Sequence, residues 1–304
     1  MGPVDSSPDI TTPPAAAELL GLGLDVAREA GALLLAGREG TVEAEATKSS
    51  PTDIVTALDR ASEALVARRL REARPQDGLL GEEGSDTPGT SGVRWIVDPL
   101  DGTVNFLYRL PNWAVSIAAE VAGEVVAGVV HAPALGLTYT AVRGGGALRW
   151  TTAAATARTS AGSGLGAGTA GTPGEADPEK LTGSPVTDLR GALVATGFGY
   201  TEQRRTAQVA VLTRVVPRVR DIRRMGAAAL DLCAAAAGTV DAYYERGLHP
   251  WDHAAGALVA SEAGLRVGGL DGRAPGEDLV VAAPPPLFDA LTALLAEHPR
   301  ADSD

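Results

Sequence analysis

The chain has one cysteine, four histidines and fewer basic than acidic residues, and each shortage removes a class of protein. A single thiol, Cys233, excludes a disulfide within the chain. Set beside Leu232 and a run of alanines in an apolar helical stretch, it reads as a small buried hydrophobe. The histidines are scattered without the spacing of a zinc site; His249 and His253 flank Asp252, where packing beside a turn is the simpler role and a supporting role behind a ligand the other. A net charge of −12 and a pI near 4.8 leave no basic field to displace counterions from a phosphate backbone, which argues against nucleic acid as a partner. The one basic cluster, Arg218, Arg220, Arg223 and Arg224, reads as a charged edge of a strand or loop at a subunit surface. No run of about eighteen uncharged apolar residues occurs, and the N-terminus has no basic segment followed by an apolar core. Neither a membrane span nor a secretion signal is therefore expected, and the expected setting is the cytoplasm.

What is present is a chain of 304 residues, 45% hydrophobic, long enough to bury a large core. Residues 1–14, rich in Pro, Ser, Thr and Asp, read as a disordered leader, and the apolar periodicity of Ala16 to Leu35 as a first helix. A second long helix is expected from about Thr56 to Arg71. Strands follow through residue 142, including Ala114 to Val121 and Val125 to Val130. Gly144-Gly145-Gly146 reads as a turn and not a phosphate loop, because no Lys-Ser or Lys-Thr follows. Residues 153–185, mostly Ala, Gly, Thr, Ser and Pro with almost no large apolar anchor, read as a flexible loop. A strand-and-turn pattern resumes at Leu193 to Tyr200, and helices alternate with strands to the end.

The most informative run is Trp95-Ile96-Val97-Asp98-Pro99-Leu100-Asp101-Gly102-Thr103-Val104-Asn105-Phe106. An apolar strand ends in two aspartates three residues apart and a glycine turn. Asp98 and Asp101 supply anionic oxygens, Pro99 restricts the backbone between them, and the Leu100 carbonyl offers a third oxygen, a donor set suited to Mg²⁺. Gly102 and Thr103 then open a helix whose free N–H groups favour an anion. By itself the motif also fits a surface turn, because Asp, Pro and Gly dominate turns for steric reasons.

Further segments narrow the choice. They are Lys48-Ser49-Ser50-Pro51-Thr52-Asp53-Ile54-Val55-Thr56, Gly81-Glu82-Glu83, Arg224-Met225-Gly226-Ala227-Ala228, and Ala242-Tyr243-Tyr244-Glu245-Arg246-Gly247-Leu248-His249-Pro250-Trp251-Asp252. In kind and order they resemble the inositol monophosphatase family, part of a superfamily of Mg²⁺-dependent, lithium-sensitive phosphatases, from roughly Leu19 to Leu295. Arg149-Trp150-Thr151-Thr152 stands where relatives usually place an Asn-Gly turn, which puts the local hairpin in question.

The resemblance implies an α/β fold, a layered α/β/α/β/α sandwich. It would comprise one phosphatase domain over residues 15–304, in two packed halves: a metal-binding α+β half at about 15–152 and an α/β half at about 186–304. It implies two or three Mg²⁺ ions held by Glu82, Asp98, the Leu100 carbonyl, Asp101 and Asp252. Asp98 would bridge two ions, Glu82 would face the first and a looser third, and Asp101 with Asp252 would complete the second. The catalytic group would be Glu82 with a Thr103 and Asp59 relay that activates or orients water. Substrate would meet Asp101, Gly102, Thr103, Asp252, Glu245 and the backbone of Gly226, Ala227 and Ala228. Plainer roles stand beside these: Asp59 as a helix-capping acid, Glu245 as a solvated surface acid, Lys48 as a solubilising lysine. The implied activity is hydrolysis of a small polyol phosphate such as inositol 1-phosphate by metal-activated water. Histidinol phosphate, other sugar phosphates and nucleotide phosphates are the alternatives, and a low-turnover regulatory phosphate-binding protein is the alternative of another class. A homodimer is common in the family.

Overall fold

The computed structural model describes residues 15–39, 46–47, 54–152 and 177–296. The expected leader at 1–14, Lys48, and residues 153–176 of the expected loop lie outside them.

Helix α1 (Ala16–Arg38) buries Leu19, Gly23, Val26, Ala27, Ala30, Gly31 and Leu34, one stripe at spacings of three and four. Strands β1 (Ala46–Thr47) and β2 (Ile54–Val55) pair as a short antiparallel ladder. Helix α2 (Ala57–Ala73) begins at the cap Thr56, whose hydroxyl accepts the Leu58 N–H at 3.2 Å. Then come β3 (Gly78–Gly81), β4 (Asp86–Thr87), β5 (Val93–Asp101), the short α3 (Thr103–Leu107), β6 (Ala114–Val121), β7 (Glu124–Ala132), β8 (Leu137–Val142), β9 (Gly146–Thr151) and β10 (Glu179–Lys180). These build an eight-stranded sheet in the order β10-β9-β8-β7-β6-β5-β3-β4, antiparallel except where β3 runs parallel to β5. The remaining elements are β11 (Leu193–Thr196), α4 (Glu202–Val215), β12 (Asp221–Arg223), α5 (Ala228–Ala236), β13 (Ala242–Glu245), α6 (Pro250–Glu262), β14 (Arg266–Gly268), β15 (Val280–Ala283) and α7 (Pro285–Ala296). Their five strands form a second sheet, β12-β11-β13-β15-β14, in which β12, β11 and β13 run parallel.

Three buried clusters show how the layers stack. In the first, Val26, Leu34, Val66 and Leu70 of α1 and α2 pack on Trp95, Val97, Val115 and Val129 of the large sheet. In the second, Leu232, Cys233, Ala255 and Val259 of α5 and α6 fill the space between Ala118 and Val130 of the large sheet and Ala195, Tyr243 and Ala282 of the small one. The third sets Val211, Val215, Leu287 and Leu291 of α4 and α7 on the outer face of the small sheet. The order is helix, sheet, helix, sheet, helix. Each fully buried Leu or Val contributes about 1.5–3 kcal/mol of transfer free energy. The central helices are rich in Ala and Gly because they are pressed from both sides. A Cβ on Gly256 of α6 would stand 2.9 Å from the Ala229 carbonyl of α5, so a larger residue would force the pair apart. Cys233 lies inside this layer, fully buried and without a disulfide partner, and burial pushes its thiol pKa far up.

Two local expectations are resolved by pairing. Gly144 and Gly146 take φ of +74° and +87° in the tight β8–β9 turn, and their N–H groups are held by the Glu262 carboxylate at 2.8 and 2.9 Å. The hairpin put in question at Arg149–Thr151 is formed, with Thr138 opposite Trp150 and Leu137 opposite Thr151. The expected loop at 153–185 is too long at its C-terminal end. Glu179 and Lys180 pair with Arg149 and Leu148, and Leu181 is 2% exposed in the central cluster, so one apolar anchor ties this stretch down. Among the described residues no helix is long and apolar enough to cross a membrane.

Candidate active site

The two sheets and the central helices meet where β5 ends. Asp98 pairs opposite Ser116 and Asp101 opposite Ala114, so the ladder slips between them and accommodates Pro99, which has no N–H to give it. The irregularity re-aims the strand end: Asp98 Oδ1 accepts the Leu100 N–H at 2.9 Å, and both aspartates are buried, 2% and 7% exposed. Gly102 follows with φ +89°, a left-handed turn that only glycine takes cheaply. A Cβ there would stand 2.9 Å from the Asn112 carbonyl, and the turn starts α3 at Thr103.

Glu82 is carried to this point by the parallel strand β3: Gly81 sits opposite Val97, and the Glu82 N–H donates to the Val97 carbonyl at 3.2 Å. The carboxyls of Glu82 and Asp98 lie within hydrogen-bonding reach of each other. The loop that follows is clasped by Glu63 of α2, whose carboxylate accepts the N–H groups of Glu83 at 2.7 Å and Ser85 at 3.0 Å. Ser62 of the same helix donates to the Pro99 carbonyl at 2.9 Å.

Asp59 caps α2, as its sequence position suggested, and also meets Thr103. Its Oδ2 accepts the Thr56 N–H at 2.9 Å and the Thr56 hydroxyl at 2.5 Å, closing a capping box, while its Oδ1 accepts the Thr103 hydroxyl at 2.9 Å. The Thr103 oxygen also lies 3.1 Å from the Leu100 carbonyl. Thr103 is thus held between the strand end and the α2 cap.

The second half supplies three more pieces. The first turn of α5 points its N–H groups at Asp101, Ala228 donating at 3.2 Å and Ala229 at 2.8 Å. Asn105 fastens this turn to α3 by donating to the Asn112 and Met225 carbonyls, both at 2.7 Å. Asp252, in the first turn of α6, accepts the His249 N–H at 2.7 Å. His249 stacks on Trp251 with ring centroids 4.9 Å apart, and burial holds the His253 pKa down at about 4. Glu245 ends β13, where Tyr243 donates to its Oε2 at 2.8 Å.

The electrostatics record how tightly these acids are gathered. Burial, then the charges of Glu82, Asp101 and Asp252, push Asp98 well above the ordinary carboxylate range. Asp252 is pushed well up by burial and then by Glu82, against the pull of the His249 N–H. Burial and neighbouring acids raise Asp101 to about 7, against the two α5 N–H groups. Burial raises Glu245 to about 7, against Tyr243 and Arg224, and raises Asp59 against its Thr56 and Thr103 donors. Among the described residues no three carboxylate, imidazole or thiol groups are arranged so as to hold a metal ion in the conformation observed. What they form is a cluster of mutually repelling acids beside a carbonyl, a set of hard oxygen donors whose repulsion a small divalent cation would relieve. The residues present therefore fit such an ion.

Glu63, Ser62, Asn105 and Tyr243 were not singled out from sequence. Glu63 carried one usable signal, a carboxylate four residues after Asp59 on the same helix face. Ser62 and Asn105 act through backbone carbonyls that folding brings near, and Tyr243 through Glu245, two positions on along the same strand.

A layered sandwich with buried carboxylates gathered at one strand end, one of them accepting the first N–H groups of α5, defines a class: an enzyme that handles phosphate esters. Comparison with known proteins gives the family. The profile of the inositol monophosphatase family matches residues 16–300, and the chain belongs to that family. It is 46% identical over 263 residues to the inositol-1-monophosphatase SuhB of Mycobacterium tuberculosis, covering 84% of this chain and 82% of that protein. It is 36% identical over 248 residues to the Nus factor SuhB of Escherichia coli, covering 81% and 83% respectively. The crystal structure of the extragenic suppressor protein SuhB of Bartonella henselae superposes with a TM-score of 0.77 at 31% identity, covering 93% of this chain and all of that one. The fold expected from sequence is the fold observed, and the protein is a phosphatase of this family.

Proposed function

We propose that the protein is a Mg²⁺-dependent phosphomonoesterase that hydrolyses inositol 1-phosphate or a similar small polyol phosphate to the alcohol and inorganic phosphate. The observation that carries this reading is the gathering of Glu82, Asp98, Asp101 and Asp252, with the Leu100 carbonyl, at one strand end that the first turn of α5 faces.

In this reading Glu82, Asp98, the Leu100 carbonyl, Asp101 and Asp252 would hold two or three Mg²⁺ ions. Bound there, the ions supply Lewis acidity, neutralising phosphate oxygens and lowering the pKa of an attacking water. The remaining work falls to the chain's own groups. Thr103 accepts a proton from water and passes its own to Asp59 Oδ1, the carboxyl it already faces at 2.9 Å. Asp59 can hold that proton because burial raises its pKa. Glu82 orients the same water from across the β3–β5 ladder. The phosphate is seated by the backbone N–H groups of Gly102 and Thr103, and the Gly226–Ala228 backbone, with Asp101 and Asp252, lines the alcohol side. Glu245 accepts a substrate hydroxyl. The M. tuberculosis relative's name, inositol-1-monophosphatase, supports the choice of substrate.

The name of the E. coli relative, Nus factor, favours a second reading in which phosphate binding serves a regulatory partner with little turnover. Phosphate release from inositol 1-phosphate, histidinol phosphate, fructose 1,6-bisphosphate and phosphoadenosine phosphate, with Mg²⁺ and with chelator, separates the two. Strictly Mg²⁺-dependent release from one preferred ester supports the enzyme. Silence across the panel from folded protein refutes the proposed substrate class and favours the regulatory reading. A homodimer and a cytoplasmic setting without nucleic acid or membrane partners belong to the same proposal, checked by light scattering and cell fractionation.

A further inference from the structure

The carboxylate of Glu245 is gripped from two sides by residues that no ligand set includes. Tyr243 lies two positions earlier on β13, hence on the same face, and is fully buried. Its only polar atom beyond the backbone, the phenol oxygen, donates to Glu245 Oε2 at 2.8 Å. On the neighbouring parallel strand, Thr196 pairs with Tyr244, which sets Gly197 beside Glu245. A Cβ built on Gly197 would overlap both oxygens of that carboxylate. Gly197 is not among the glycines with positive φ, so its backbone does not call for glycine. The space taken by the carboxylate does. Because Tyr243 already donates to Oε2, Oε1 has the greater capacity to accept a ligand's hydroxyl.

We infer that Tyr243 and Gly197 are specificity-setting positioning residues: together they fix Glu245 in one orientation, so that the site discriminates phosphate esters carrying a neighbouring hydroxyl from esters that carry none. The inference rests on the reading of Glu245 as a substrate contact. An unfixed carboxylate would still accept a hydroxyl, but it would first have to be ordered, and that cost falls on substrate binding rather than on bond cleavage.

The test compares kcat/KM for inositol 1-phosphate with kcat/KM for p-nitrophenyl phosphate in wild type, Tyr243→Phe, Gly197→Ala and Glu245→Gln. Tyr243→Phe removes one oxygen and leaves the packing in place, so it remains informative where Gly197→Ala fails to fold. The preference ratio is expected to fall about tenfold or more in Tyr243→Phe, the worth of one hydrogen bond to a charged group, with the loss in KM for inositol 1-phosphate rather than in kcat. Gly197→Ala should lose at least as much. A lowered ratio in Glu245→Gln with the wild-type ratio kept in Tyr243→Phe overturns the clamp and leaves Glu245 as a contact. A wild-type ratio in Glu245→Gln overturns the contact and the clamp with it.

Discussion

Replacing Asp101 with asparagine should make the protein more stable without metal and nearly inactive with it. Burial and neighbouring acids hold the Asp101 pKa at about 7, against 3.8 for an unperturbed aspartate. At about 1.4 kcal/mol per pKa unit, keeping this acid in the folded protein costs about 4 kcal/mol at about pH 8 in chelator. The sign follows from the direction of the shift. A carboxyl raised in the folded state contributes its full stability below the unfolded value and loses it as pH climbs through the folded one, so the gain from asparagine should shrink at about pH 5. One term works against the substitution. Asp101 accepts the N–H groups of Ala228 and Ala229 at 3.2 and 2.8 Å, and an amide must turn its own NH₂ toward one of them, costing about 1–3 kcal/mol. The balance is a gain of about 1–3 kcal/mol, on the order of 5 °C in melting temperature for a domain of this size. Thermal unfolding in EDTA at about pH 8 and at about pH 5, then with added Mg²⁺, gives the comparison. Phosphate release gives the other half, expected to drop by about two orders of magnitude or more. A variant no more stable than wild type in EDTA, with the wild-type Mg²⁺ shift and near-normal turnover, refutes the reasoning.

Other consequences follow from the same packing. Wild-type protein in chelator should lose stability as pH rises from about 4 through about 7, the span between the unfolded and folded values of Asp101, and Mg²⁺ should restore it, with a larger melting-temperature increment at about pH 8 than at about pH 6; an increment independent of pH would contradict the raised Asp98, Asp101 and Asp252. Gly102→Ala should cost about 2 kcal/mol or more, because it combines a left-handed φ with a Cβ 2.9 Å from a backbone carbonyl; urea unfolding reads it directly. Glu63→Ala should leave the helices intact but free the Glu83 and Ser85 N–H groups, raising hydrogen exchange at 82–85 and lowering turnover about tenfold or more. Asp231, 1% exposed in α5 with neither carboxyl oxygen hydrogen-bonded among the described residues, is held well above the ordinary range by burial, so Asp231→Asn should stabilise the protein more at about pH 8 than at about pH 5.

Much of this protein is legible in its sequence, and the legible parts are those governed by local rules. The periodicity from Ala16 and the capping acid Asp59 placed two helices to within a few residues, because an amphipathic stripe and a cap are written in nearby positions. Asp98, Pro99 and Asp101 suggested a donor set for the same reason: they stand within four consecutive positions, and what the structure adds is that both aspartates are buried at one strand end. Glycines at 144–146 foretold the turn that Glu262 closes, though not Glu262, which arrives from α6 more than a hundred residues later.

What tertiary structure alone decided is which distant groups share a place. Glu82 meets Asp98 because β3 runs parallel to β5, Asp101 is capped because α5 begins beside it, and Leu181 ends the supposed loop because the central cluster had room for it. Gly197 looks like any loop glycine until β11 lies next to β13 and its missing Cβ becomes the space Glu245 occupies. Local propensity and spacing act over a few residues and can be read along the chain; burial, carboxylate repulsion and close backbone approach depend on distances that exist only once the layers have packed.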